Sequence, residues 1–127
     1  MGNTKQALIK TNQKNFFKHW MNFTRPLHGL NKTESSTIAL LLYNYFELKK
    51  DISNDDLAWK LVFDYDTKLK IKEELNFKTS QSLDNLLFAL RKKNIIINNK
   101  INKSYIPIID LDQSNTFSIV YKFEINE

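Results

Sequence analysis

The sequence predicts an α+β chain, mainly α, that ends in a small antiparallel sheet. Three observations predict it. Apolar residues recur at helical spacing in two long stretches, Ile38, Leu41, Leu42, Tyr45, Leu48 and Leu83, Leu86, Leu87, Leu90. From Ile95 onward the pattern changes to β-branched runs and strict alternation. The chain has 127 residues, 42% of them hydrophobic, which suits one packed domain of the common size of about 100–150 residues. The expected organisation is a polar arm over 1–12 and a single domain over 13–127.

In chain order, the first expected helix begins near Asn15 and places Phe16, Trp20 and Phe23 on one face. Pro26 and Gly29 then break it. Asn31 and Glu34 have the spacing of a capping box, in which each side chain satisfies the other's backbone N–H at a helix start. The helix behind them runs to about Lys49 and is expected to form the central post of the core. Asn54 caps a short helix over 55–63, with Leu57, Leu61 and Val62 inward and Trp59 covering an edge. Asp66 is expected to cap a helix over 67–75 that buries Leu69, either Ile71 or the aliphatic carbons of Lys72, and Leu75.

Asn76 falls in the turn that follows, where Asn tolerates left-handed backbone better than most residues. Thr79 or Ser80 caps the leucine-striped helix, and Arg91, Lys92 and Lys93 in its last turn complement the macrodipole. Asn94 takes the left-handed position usually given to Gly. Ile95, Ile96 and Ile97 read as a strand, Asn98 to Lys100 as a turn, and 101–109 as a returning strand interrupted at Pro107. Residues 117–125 alternate as a half-buried strand.

Helix, turn, helix, then β-hairpin is the order of elements in a winged helix-turn-helix, here with an extra N-terminal helix. The helix-turn-helix falls at 66–93, the wing at 95–109 and a C-terminal strand at 117–125. Residues 67–97 resemble winged helix-turn-helix proteins of the MarR type and plasmid-type replication initiators. Leu75-Asn76 stands where those families have Leu-Gly. Leu90-Arg91-Lys92-Lys93-Asn94-Ile95-Ile96 is similar to their Leu, three polar residues, Gly and two aliphatics. Leu30-Asn31-Lys32-Thr33-Glu34 is similar to the Leu-Thr-x-x-Glu that opens their preceding helix.

The resemblance implies a DNA-binding protein, a transcription regulator or replication accessory factor, whose reading helix enters the major groove. Short polar side chains near such a helix's N-terminus meet base edges, and Gln and Asn pair bidentately with adenine. Thr79, Ser80, Gln81, Ser82 and Asn85 occupy that position. Lys78, Arg91 and Lys92 are placed for phosphates, as are Lys100 and Lys103 on the wing, with Lys68, Lys70 and Lys72 flanking. Asp84 and Phe88 are expected outward on the same helix. The whole chain, chiefly 17–49 and 90–99, also looks like small proteins of phages that infect Bacteroidetes. That likeness implies a virion or replisome component, a non-enzymatic assembly module.

Charge is unevenly spread. Residues 1–33 hold six Lys or Arg and no acid, and residues 66–103 hold nine bases and four acids. Acids prevail in 34–65 and 104–127, while the chain's net charge is +5. Such polarisation attracts phosphate. The chain has no Cys, and His19 and His28 match no zinc spacing. Asp51, Asp55, Asp56, Asp64 and Asp66 lack calcium-loop spacing and read as capping residues. Two Gly leave no phosphate-cradling loop, and no nucleophile or acid–base set is present, so no enzyme and no cofactor is expected. The start lacks a signal-peptide core, and no run approaches the about 20 apolar residues of a membrane span. A cytoplasmic protein is expected, in a host cell or a virion if phage-encoded. Its partner is DNA, with a homodimer seam through Phe16, Trp20 and Phe23.

Overall fold

The computed structural model describes residues 6–110 and 116–126. The chain is mainly helical, with one two-stranded antiparallel hairpin. Among the described residues six helices run in the order α1 (Gln13–Phe23), α2 (Arg25–His28), α3 (Lys32–Lys49), α4 (Asp55–Val62), α5 (Tyr65–Glu74) and α6 (Ser80–Lys92). Strands β1 (Ile96–Ile97) and β2 (Lys100–Ile101) follow, then a 3-10 turn over Lys103–Tyr105. Residues 6–12 of the expected arm form no regular element. Among the described residues no helix is long and apolar enough to cross a membrane.

Local chemistry explains where the helices begin. Asn12 accepts from Asn15 N at 2.8 Å, Asn54 from Leu57 N at 3.1 Å and Asp64 from Thr67 N at 2.8 Å. The Asn31–Glu34 capping box is complete, with Glu34 N donating to Asn31 Oδ1 at 2.9 Å and Asn31 N to Glu34 Oε1 at 3.1 Å. The cap of α5 is therefore Asp64, two residues ahead of the expected Asp66. This brings Tyr65 and Asp66 into the first turn and leaves only Phe63 and Asp64 between α4 and α5.

Turns in this glycine-poor chain are made by asparagine. Asn76, Asn94, Asn98 and Asn99 all have positive φ, between 52° and 60°. Asn94 ends α6 as expected. Asn98 and Asn99 form a two-residue hairpin turn, since Ile97 pairs with Lys100 and Ile96 with Ile101. Two consecutive positive-φ residues match the right-handed twist of the strands.

The core gathers around α3, whose N-terminal half is buried on nearly every side from Glu34 to Leu42. Against it lie Phe17 and Met21 of α1, Trp59 and Val62 of α4, Ile71 of α5, Leu83, Leu87 and Leu90 of α6, and Ile95, Ile96 and Ile101 of the hairpin region. Two helices are phased differently from expectation. On α1 the inward stripe is Phe17 and Met21, while Phe16 and Trp20 are half-buried and Phe23 is exposed. The pair Phe16-Phe17 permits either phase, and the fit of Phe17 against Phe46, with ring centroids 5.1 Å apart, accompanies the observed one. On α4, Ala58, Trp59 and Val62 are buried and Leu57 is 45% exposed. Trp59 stacks flat on Tyr45 at 4.0 Å, and the larger ring takes the inside.

Two strand expectations are not met. The returning strand stops at Ile101, because Asn102 accepts from Ser104 N at 3.1 Å and opens a 3-10 turn. Residues 117–125 form no strand, for they have no ladder partner among the described residues. The segment touches the rest of the chain through Phe117, whose ring meets Phe16 at 5.2 Å and Trp20 at 5.8 Å. Trp20 also donates from Nε1 to the Tyr105 carbonyl at 2.8 Å, holding the chain after the hairpin against α1. Much of the seam expected on α1 is thus occupied by the chain itself, leaving Phe23 exposed.

Candidate nucleic-acid interface

The outward surface of α6 is built by its two ends. At the start, Thr79 is the cap: its Oγ1 accepts from Ser82 N at 3.2 Å and lies 3.0 Å from Ser82 Oγ. The hydroxyls of Thr79 and Ser82 are therefore engaged in the cap itself. Ser80, Gln81 and Asn85 remain exposed, and Gln81 Nε2 donates to Asn85 Oδ1 at 2.9 Å, one helical turn away. Down the same line follow Phe88, 55% exposed, and Lys92, whose Nζ stands 4.8 Å from the Phe88 ring centroid. The row Gln81, Asn85, Phe88, Lys92 thus passes from amide to aromatic to cation over about 16 Å of helix.

The cations divide into two groups. Among the described residues, no carboxylate lies within ion-pair distance of Lys78, Arg91, Lys92 or Lys103, and all four are exposed. Lys100 is committed elsewhere. Its Nζ bonds Asp56 Oδ1 and lies 3.8 Å from Asp55 Oδ2, so the hairpin lysine is tied to the first turn of α4. That pairing holds the Lys100 ammonium above its ordinary pKa and the Asp56 carboxyl below its own. Asp55 also accepts from the Tyr45 hydroxyl, and burial together with that bond raises the phenol's pKa. Lys103 opens the 3-10 turn and does not extend the hairpin as expected.

Asp84 is exposed on α6, but Lys68 of α5 reaches it at 3.5 Å, so its charge is answered from the neighbouring helix. A small cleft of about 80 Å³ lies between these helices, bordered by Lys68, Lys72, Ser80 and Asp84. It has room for a few waters at most. An open groove of about 620 Å³ runs along the arm and α1, lined by Lys10, Asn12, Asn15, Lys18 and His19 and by no acid. Sequence reading passed over it because these residues lie on the solvated side of a helix. Its signal was the absence of acids from residues 1–33.

His28 has a structural place. Its Nδ1 accepts from Leu30 N at 2.9 Å, so Nε2 is the donor to the Met21 carbonyl at 2.8 Å. The structure thus brings Ser80, Gln81, Asn85, Arg91 and Lys92 onto the exposed surface of α6, with Lys78 exposed in the turn before its cap. Thr79 and Ser82 serve as its cap, and Lys100 is withdrawn into an ion pair. No family model, no curated protein and no solved structure matches the chain.

Proposed function

We propose that this chain is a nucleic-acid-binding protein of the winged-helix type. In this reading the N-terminal half of α6 enters the major groove of duplex DNA, and the protein acts in the cytoplasm as a transcription regulator or replication accessory factor. One observation carries it: an exposed pair of amide side chains, Gln81 and Asn85, is flanked by cations without ion-pair partners, Lys78 before it and Arg91 and Lys92 after it. Amides offer the donor–acceptor pattern that pairs with adenine, and unpaired cations can displace counterions from phosphates. The order α5, turn, α6, β1, β2 supports the winged-helix reading. The role assigned to the wing is reduced, since Lys100 already has its partners.

Gel shifts with duplex DNA, single-stranded DNA and RNA at two salt concentrations test the proposal. It expects duplex binding that weakens steeply with salt and weakens at least tenfold when Arg91 and Lys92 are both replaced by Glu. Binding that is absent, or indifferent to salt, counts decisively against it.

A second reading rests on Phe88. An aromatic ring more than half exposed on the same row suits contact with a protein better than contact with a groove. Under that reading α6 is a docking surface in an assembly such as a virion or replisome, and replacing Phe88 abolishes capture of the partner while charge reversal at Arg91 and Lys92 does not.

A further inference from the structure

We propose that residues 121–125 form a β-strand by pairing with the same residues of a second copy of this chain, antiparallel and two-fold symmetric about Phe123. The proposal does not rest on the nucleic-acid reading. Odd positions carry Phe117, Ile119, Tyr121, Phe123 and Ile125, and even positions carry Ser118, Val120, Lys122 and Glu124. This is the period-two pattern of a strand with one buried face. Yet the segment sits outside any sheet. Residues 116–126 make no backbone hydrogen bond with the other described residues, and Phe123 and Ile125 are 87% and 84% exposed. The start is anchored by Phe117 on Phe16 and Trp20, and Ile119 is half-buried, while every described residue from Val120 onward is exposed. An alternating strand with free donors and acceptors is a template for pairing with another chain.

The charges name the occupant. Two antiparallel copies keep their apolar residues on a common face only when odd positions oppose odd positions. Of the registers that do so, the one centred on Phe123 places Lys122 opposite Glu124 of the second copy, and Glu124 opposite its Lys122. Those are the only two charged residues within 117–125, and both are satisfied at once. Tyr121 then opposes Ile125 and Phe123 opposes itself, aromatic and branched pairs that favour strands. A register centred on Tyr121 sets Lys122 against Val120, and one centred on Lys122 sets two ammonium groups against each other.

Sedimentation equilibrium of the full chain, with circular dichroism to confirm that each variant stays folded, tests the pairing. The wild type is expected to dimerise. K122E and E124K each replace two attractive cross-strand pairs with two repulsive ones and should weaken dimerisation about tenfold. The double variant K122E/E124K restores it, and so does an equimolar mixture of the two single variants, whose strands are again complementary. F123D abolishes it. A wild type that stays monomeric at its highest soluble concentration overturns the proposal. So does a dimer that ignores the single reversals, or one that neither the double variant nor the mixture rescues.

Discussion

Glu34 and Lys93 join the first turn of α3 to the end of α6, Lys93 Nζ donating to Glu34 Oε2 at 2.8 Å across 59 residues of sequence. The other Glu34 oxygen already serves the capping box, so one buried carboxylate closes a helix start and pins a second helix. Burial raises the Glu34 pKa, but the Lys93 ammonium and the Asn31 N–H outweigh it, and the carboxyl is held below its ordinary value near 4.5.

Replacing Lys93 by Met leaves that carboxylate without its cation. Lys93 is itself half exposed, so the expected loss at neutral pH is modest, about 1–2 kcal/mol by denaturant unfolding. Because folding lowers the Glu34 pKa, the contribution of the charged carboxylate is fully present above pH 4.5 and is lost as pH falls through the lower folded value. The stability gap between wild type and E34Q should therefore close on acidification.

Among the described residues Arg91 and Lys92 have no carboxylate within ion-pair distance, whereas Lys100 is held by Asp56 and Asp55. Under the DNA-binding proposal, R91E/K92E weakens duplex binding at least tenfold and flattens its salt dependence, and K100A changes both little. Equal effects from the two variants, read by fluorescence anisotropy at two ionic strengths, would place the wing on the backbone after all.

Gln81 and Asn85 test sequence readout separately from affinity. If they face bases, Q81A/N85A relaxes discrimination between a selected site and scrambled DNA by at least about thirtyfold, as each of the two bidentate pairs is worth about 1–3 kcal/mol. Non-specific binding at low salt should stay within about twofold, since phosphate contacts supply it.

The asparagines at positive φ predict a graded series. Asn76→Gly and Asn94→Gly should leave thermal stability within about 0.5 kcal/mol, while Asn76→Val and Asn94→Val should each cost about 1–2 kcal/mol because a β-branched side chain clashes in left-handed backbone.

Two leucines separate expectation from structure. Leu87 is buried in the core, so L87A should destabilise by about 2–5 kcal/mol. Leu57, expected inward from its spacing, is 45% exposed, and L57A should cost under about 1 kcal/mol by the same unfolding assay.

The sequence alone determined what acts within one helical turn. The capping box at Asn31 and Glu34, the cap at Asn54, the α6 cap to within Thr79 or Ser80, the left-handed Asn94 and the stripe Leu83, Leu87, Leu90 were legible because each partner lies within a few residues of the other. Tertiary structure decided the rest. The phase of α1 was settled by where Phe17 met Phe46, the pairing of Lys93 with Glu34 and of Lys100 with Asp56 by elements brought together from distant sequence, and the fate of 117–125 by its pairing with no strand among the described residues. A strand, unlike a helix, cannot satisfy its own backbone, so its alternating pattern announces a tendency that only a partner can realise.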